Sequence, residues 1–324
     1  MAYARAKHTD AQSIPVIDIT PLRDGTNAKA VAKDLHQASQ ELGFIYVKGH
    51  GIPDAVIEGA RNSALQFFRH GAEDKSSVTI SEHHRGWLGR GGAIMEDGAK
   101  PDLKESFLWG SQNADLITAM DHPLRGQNRW PAFMPDLETH AMTYFNHVQE
   151  VAAKLMLGFA IALELAPDFF LRSCSKPLSR ASFVFYPSQP KEMGEDQFGV
   201  GPHTDFGVLT ILCQDSVGGL QVQGLDGDWL EAPPIDGTLV VNVGDLLARW
   251  TDGIYRSTYH RVVNSSHSSR LSLVLAFDPD PETLIDARDV FGPDHISAEP
   301  PITCGNYLIW RFSKAFKYRD GQSP

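Results

Sequence analysis

Cysteine is scarce in this chain. Cys174, Cys213 and Cys304 are the three in 324 residues. They are widely spaced, odd in number and in no Cys-x-x-Cys pair. That argues against a disulfide framework and a structural zinc site, and for a reducing compartment. Positive charge is also in deficit: 29 Lys and Arg against 40 Asp and Glu give a formal net charge of −11. With the basic residues scattered, nucleic acid is not an expected partner. Long apolar runs are missing as well. The longest, near Leu155 to Ala166, is broken by Gly158 and Glu164 and is too short to span a bilayer. Met1-Ala2-Tyr3-Ala4-Arg5 has no apolar h-region, so no secretion signal is expected. These absences together point to a soluble, cytoplasmic protein. The oligomeric state is left open.

What is present changes character along the chain. Ile14 to Ile19 alternates as a strand, and Asn27 to Leu42 places Ala28, Val31, Leu35, Ala38 and Leu42 on one helical face. Phe44 to Val47 reads as a short strand, and Asp54 to Arg69 as a second amphipathic helix. Gly86, Gly89, Gly91 and Gly92 cluster without the spacing of a phosphate-binding loop and read as a loop near a pocket. Asp102 to Gly110 reads as a strand on the pocket wall. Pro135 to Leu165 is the longest helical pattern, with Asp136 and Glu138 suited to the helix dipole. From about Ser179 the period switches from helix to strand. Short strands with regular turns follow, including Gly199 to Pro202 read as a turn, and imply a jelly roll. Cys304 to Tyr318 again reads as a helix. The expectation is a single domain over 1–324 of the α+β class. A helical and strand region would run to about 175, a jelly-roll core over about 176–280, and a C-terminal helix over about 304–318.

The chemistry gathers within that core. His203-Thr204-Asp205 is followed after 54 residues by His260, and ten residues later by Arg270-Leu271-Ser272. Neither short motif means much alone. His8-Thr9-Asp10 repeats the first, and Arg-x-Ser occurs at Arg61, Arg180, Arg270 and Arg311. Context separates them: His8 lies in a polar tail, whereas His203 precedes the apolar run Val208 to Leu212. Residues i and i+2 of a strand face the same way, so His203 and Asp205 can aim at one ion, joined by His260 from a distant strand. Two imidazoles and a carboxylate, with no thiolate, form the ligand set of a non-haem Fe(II) site with open positions for O2 and a chelating co-substrate. By the same parity Arg270 and Ser272 share a face, and an Arg with a nearby hydroxyl suits a second carboxylate on that co-substrate.

These pieces resemble the isopenicillin-N-synthase-like group of Fe(II)/2-oxoglutarate-dependent dioxygenases. The resemblance extends to Ile14-Pro15-Val16-Ile17-Asp18, to Gly43-Phe44-Ile45-Tyr46-Val47 with His50-Gly51-Ile52, to Gly218-Gly219-Leu220-Gln221-Val222 and to Val241-Asn242-Val243-Gly244-Asp245. It implies a double-stranded β-helix with flanking helices, with Tyr186 of Tyr186-Pro187 joining Arg270 and Ser272 at the 2-oxoglutarate carboxylate. The implied cofactors are Fe(II), 2-oxoglutarate and O2. The implied activity is hydroxylation of an unactivated C–H of a small organic substrate, releasing succinate and CO2. Two alternatives stay open here: an Fe(II) oxidase of the isopenicillin N synthase type that needs no 2-oxoglutarate, and a non-catalytic metal-binding jelly roll.

The substrate is less legible. Asp245-Leu246-Leu247-Ala248-Arg249-Trp250 is similar to the thymine-hydroxylase type, but Ser182 and Ala276 stand where that type has an Arg and an aromatic. The candidate substrate wall is Phe107, Trp109, Ser182, Val184 and Phe277, which suits a molecule with a hydrophobic body.

Overall fold

A computed structural model of the protein describes residues 4, 6, 14–94, 100–112, 122–189, 197–264, 268–316 and 318. The stray His8-Thr9-Asp10 triplet lies outside them. The first strands are β1 (Val16–Asp18), β2 (Phe44–Lys48), β3 (Gly86–Leu88), β4 (Glu105–Gly110), β5 (Arg180–Tyr186), β6 (Val200–His203) and β7 (Leu209–Gln214). There follow β8 (Leu220–Gln223), β9 (Trp229–Glu231), β10 (Thr238–Val243), β11 (His260–Val262), β12 (Arg270–Phe277) and a small pair, β13 (Leu284–Ile285) with β14 (Ile302–Thr303). Eight strands form one sheet in the order β1-β2-β10-β7-β12-β5-β4-β3, and four form a second in the order β6-β11-β8-β9. This is the α+β jelly-roll architecture that the strand pattern implies.

Strand alternation divides the apolar residues into two cores. On β2, Ile45 and Val47 join the core beneath the helices, while Phe44 and Tyr46 join the core between the sheets. The inter-sheet core also takes Val184 and Val240 from the large sheet and Val200, Leu220, Val222 and Val262 from the small one. Strands buried on both faces carry continuous apolar runs in place of strict alternation, which is why Leu239-Val240-Val241 reads as it does.

The helical layer is α1 (Ala28–Glu41), α2 (Asp54–Arg69) and α3 (Asp136–Ala162), with α1 and α2 both packed on α3. Asn27 caps α1 by accepting from Ala30 N. Gly43 ends the turn after α1 at φ +72°, and a Cβ there would lie 2.1 Å from Arg256 O. Both conditions admit only glycine at that position. Two further helices, α4 (Asp245–Trp250) and α5 (Cys304–Ala315), pack against β13 and β14 respectively. Among the described residues no helix is long and apolar enough to cross a membrane.

Two expectations are corrected. Residues 200–203 form β6, not a turn, because Val200 and His203 pair with Val262 and His260. The C-terminal helix ends at Ala315. Within the region before about 175, β1 to β4 extend the large sheet at both edges.

Candidate active site

His203 and His260 are direct cross-strand partners in the antiparallel pair of β6 and β11. Their ring centroids lie 4.2 Å apart. Each ring is held from behind by a backbone carbonyl: His203 Nδ1 by Gly201 O at 2.8 Å, and His260 Nδ1 by Thr258 O at 3.2 Å. A carbonyl only accepts, so each Nδ1 carries the hydrogen and each Nε2 keeps its lone pair free. Both Nε2 atoms stand 3.8 Å from a different oxygen of Asp205. One ligand atom from each of the three residues lies within 4.8 Å of the others.

Asp205 is oriented by Asn242, whose Nδ2 donates to Oδ2 at 2.8 Å, and by the Thr210 hydroxyl. Burial raises the Asp205 carboxyl, but the His260 and His203 imidazoles and these two hydrogen bonds outweigh it, leaving it below its ordinary range. Burial, helped by the neighbouring His260, pushes His203 down to about 3. The cluster therefore offers a carboxylate from Asp205 and a neutral nitrogen donor from His203, the protonation states a divalent ion requires. This donor set, with no fourth protein ligand among the described residues, fits an Fe(II) ion with open positions.

Arg270 begins β12 and is fully buried. Its guanidinium stands over the Tyr186 ring, 4.7 Å from the centroid, and Nη2 donates to Gln214 Oε1 at 3.4 Å. Its Nε and Nη1, with the Ser272 hydroxyl, are buried without a hydrogen-bond partner. A buried cation with unmet donors is costly unless a ligand completes it. A small carboxylate bonded to an unmet Arg270 donor and to the Ser272 hydroxyl would supply what they lack, so this end of the site fits the distal carboxylate of 2-oxoglutarate. Burial pushes the Tyr186 hydroxyl up to about 12, so it stays a neutral donor.

The metal cluster opens into a cavity of about 190 Å³ between the sheets. Its walls include Tyr186, Val184, Ser182 and Arg180 of β5, Val274 and Ala276 of β12, and Ser106 and Leu108 of β4. Phe206, Phe312 and Phe316 close the side toward α5. Of the expected substrate residues, Ser182 and Val184 are therefore on the wall. Phe107, Trp109 and Phe277 are not. Leu108 pairs with Ser182 and Ser106 with Val184, so Phe107 and Trp109 face the opposite side. There Phe107 meets Phe67 and Trp109 meets Phe183. Phe277 is one residue out of parity with Arg270, Ser272, Val274 and Ala276, and is buried in the helical core. Asn242, Thr210, Gln214 and Arg180 were missed. The i+2 rule applied backward from Tyr186 would have found Arg180.

Comparison with known proteins agrees with this geometry. Residues 175–279 match the profile of the 2OG-Fe(II) oxygenase superfamily, and residues 14–133 that of the N-terminal part of the non-haem dioxygenases in morphine synthesis. The homoarginine-6-hydroxylase of Glycine max is 33% identical over 299 residues, covering 87% of this chain and 90% of that protein. The validamycin A dioxygenase of Streptomyces hygroscopicus subsp. limoneus is 36% identical over 284 residues, covering 83% and 78%. A full-length Neurospora crassa protein, crystallised in complex with alpha-KG and thymine, superposes with a TM-score of 0.82 at 28% identity, covering 95% of this chain and 99% of that one.

Proposed function

Since this chain belongs to the 2OG-Fe(II) oxygenase superfamily and is a non-haem Fe(II)/2-oxoglutarate-dependent dioxygenase, we propose that His203, Asp205 and His260 hold its iron. In the same reading Arg270, Ser272 and Tyr186 hold the distal carboxylate of 2-oxoglutarate. The unmet donors of Arg270 and Ser272 carry this reading. They call for a dicarboxylate chelator at the closed end and leave the cavity beyond for a separate substrate, which favours 2-oxoglutarate use over the oxidase alternative.

Each residue then has a definite task. His203 and His260 present Nε2 because the Gly201 and Thr258 carbonyls hold the Nδ1 hydrogens. Asp205 is kept from turning by Asn242. Arg270 and Ser272 contribute charge-assisted bonds of about 1.5–3 kcal/mol each to the bound carboxylate. Leu212, Leu220, Val240 and Val262 line the space between and exclude water. Iron with 2-oxoglutarate supplies oxidation of a substrate C–H by O2, with succinate and CO2 as co-products. The product is a hydroxylated small organic molecule. Thymine is disfavoured by Ser182 and Ala276.

The test is an oxygen-free titration of Fe(II) protein with 2-oxoglutarate, following the chelate charge-transfer band. Asp205→Ala is expected to abolish the band. A band of unchanged strength in that variant would remove Asp205 from the ligand set. Substrate turnover that needs no added 2-oxoglutarate would restore the oxidase alternative.

A further inference from the structure

Four residues run straight across the large sheet at one level. Arg180 of β5 pairs with Ala276 of β12, Ala276 with Thr210 of β7, and Thr210 with Asn242 of β10. Thr210 and Asn242 are the residues that bond Asp205. Arg180 therefore stands level with the metal ligands, two strand spacings from Thr210, or roughly 10 Å. Between them the side chain is only the methyl of Ala276. The wall is open where an anchored molecule would have to lie to reach the iron.

Arg180 is itself held in place. Nη1 donates to Asp278 Oδ2 at 2.7 Å, and the guanidinium lies over the Phe312 ring, 4.7 Å from its centroid. Asp278 is fully buried and is engaged a second time by Val208 N at 3.1 Å. Gly207 is needed beside it, because a Cβ there would lie 2.2 Å from Asp278 Oδ1. This pair fixes one corner of the guanidinium. Its Nε and Nη2 have no hydrogen-bond partner among the described residues, while the side chain lies on the cavity wall. That free edge has the forked geometry that takes a carboxylate with two parallel bonds. The other cation on the wall, Lys104, is 3.4 Å from Asp102 and sits toward the Tyr186 end, since Glu105 pairs with Phe185.

We propose that the substrate is a small organic acid whose carboxylate is received by the Nε–Nη2 edge of Arg180, with its apolar body over Ala276 and its reacting C–H toward the metal ligands. This rests on the metal and 2-oxoglutarate assignments above. Phe206, Phe312 and Phe316 complete an apolar sleeve around that body.

Calorimetry on protein loaded with Mn(II) and saturated with 2-oxoglutarate tests it, because saturation keeps the probe acids out of the co-substrate end. The probes are hexanoate, phenylacetate and 3-phenylpropionate, each against its own carboxamide. At least one acid is expected to bind about tenfold or more tightly than its amide. The double variant Arg180→Met/Asp278→Asn, which leaves no orphaned charge and keeps an acceptor for Val208 N, is expected to close that gap. Arg180→Lys keeps the charge and loses the fork, so it is expected to narrow the gap, and it serves if the double variant does not fold. The proposal is overturned if no acid binds, if amides bind equally well, or if the gap survives in these variants. Failure of 2-oxoglutarate itself to bind the Mn(II) protein would instead sink the co-substrate assignment.

Discussion

Arg311 and Asp245 join the C-terminal helix to the metal cluster. Arg311 Nη1 donates to Asp245 Oδ2 at 2.6 Å, and Tyr307 donates to the same oxygen at 2.8 Å. Ser257 takes the other carboxylate oxygen at 2.6 Å. The backbone N of Asp245 in turn donates to Asp205 O at 2.8 Å. The placement of α5 is thus transmitted through one carboxylate to the backbone of a proposed iron ligand. Arg311→Met is expected to weaken Fe(II) binding about tenfold, within the range usual for residues that orient ligands. An oxygen-free Fe(II) titration measures it. Unchanged affinity would show that the contact only docks the helix.

Asn242 gives a sharper version of the same test. Its Nδ2 is the side-chain donor on Asp205 Oδ2. Asn242→Ala leaves the ligand atoms in place but leaves the carboxylate oriented by the Thr210 hydroxyl alone. Fe(II) affinity is expected to fall about 10- to 100-fold. The circular dichroism spectrum should be unmoved, since the backbone pairing of β10 does not use the side chain.

The metal cluster was legible because its motif pieces sit at strand positions whose parity is visible, and because the apolar run after His203 marks a strand. The residues that orient the cluster were not. Asn242 and Thr210 reach Asp205 only through the sheet order β10-β7, which no local pattern encodes. The aromatic part of the expected substrate wall was misplaced for a different reason. All of β4 is buried, so neither alternation nor size tells which of its faces meets the cavity, and the large aromatics were the wrong choice.

That parity can be checked directly. Phe107→Ala empties a core site against Phe67 and is expected to cost about 3–5 kcal/mol in urea unfolding, with 2-oxoglutarate affinity unchanged. Leu108→Trp projects into the cavity and is expected to abolish substrate-stimulated succinate release at little cost in stability. The opposite pattern would mean that the faces are exchanged.

Arg270 cannot be replaced by its nearest chemical relative. Lysine keeps the charge but not the planar set of fixed donors that the guanidinium offers. Arg270→Lys is expected to raise the 2-oxoglutarate dissociation constant by about tenfold or more, read from the chelate band, while Fe(II) affinity stays near that of the unaltered protein. An equal loss of both would mean that Arg270 supports the fold of the whole site.

The Arg180–Asp278 pair carries a pH signature. Burial raises the Asp278 carboxyl even with Arg180 opposing it. Arg180→Met removes that opposition, so the folded-state value climbs further above the unfolded one. A carboxyl raised on folding contributes stability that is fully present below its unfolded value near 3.8 and is lost as pH rises through the folded value. At neutral pH Arg180→Met is therefore expected to be less stable than Arg180→Met/Asp278→Asn by about 3–5 kcal/mol, the cost of one uncompensated buried charge. The difference should shrink as the solution is acidified and Asp278 takes up a proton. Thermal unfolding of the two variants across that range measures it. A constant difference would mean that the lost Arg180 packing on Phe312, not the stranded carboxylate, is what destabilises the single variant.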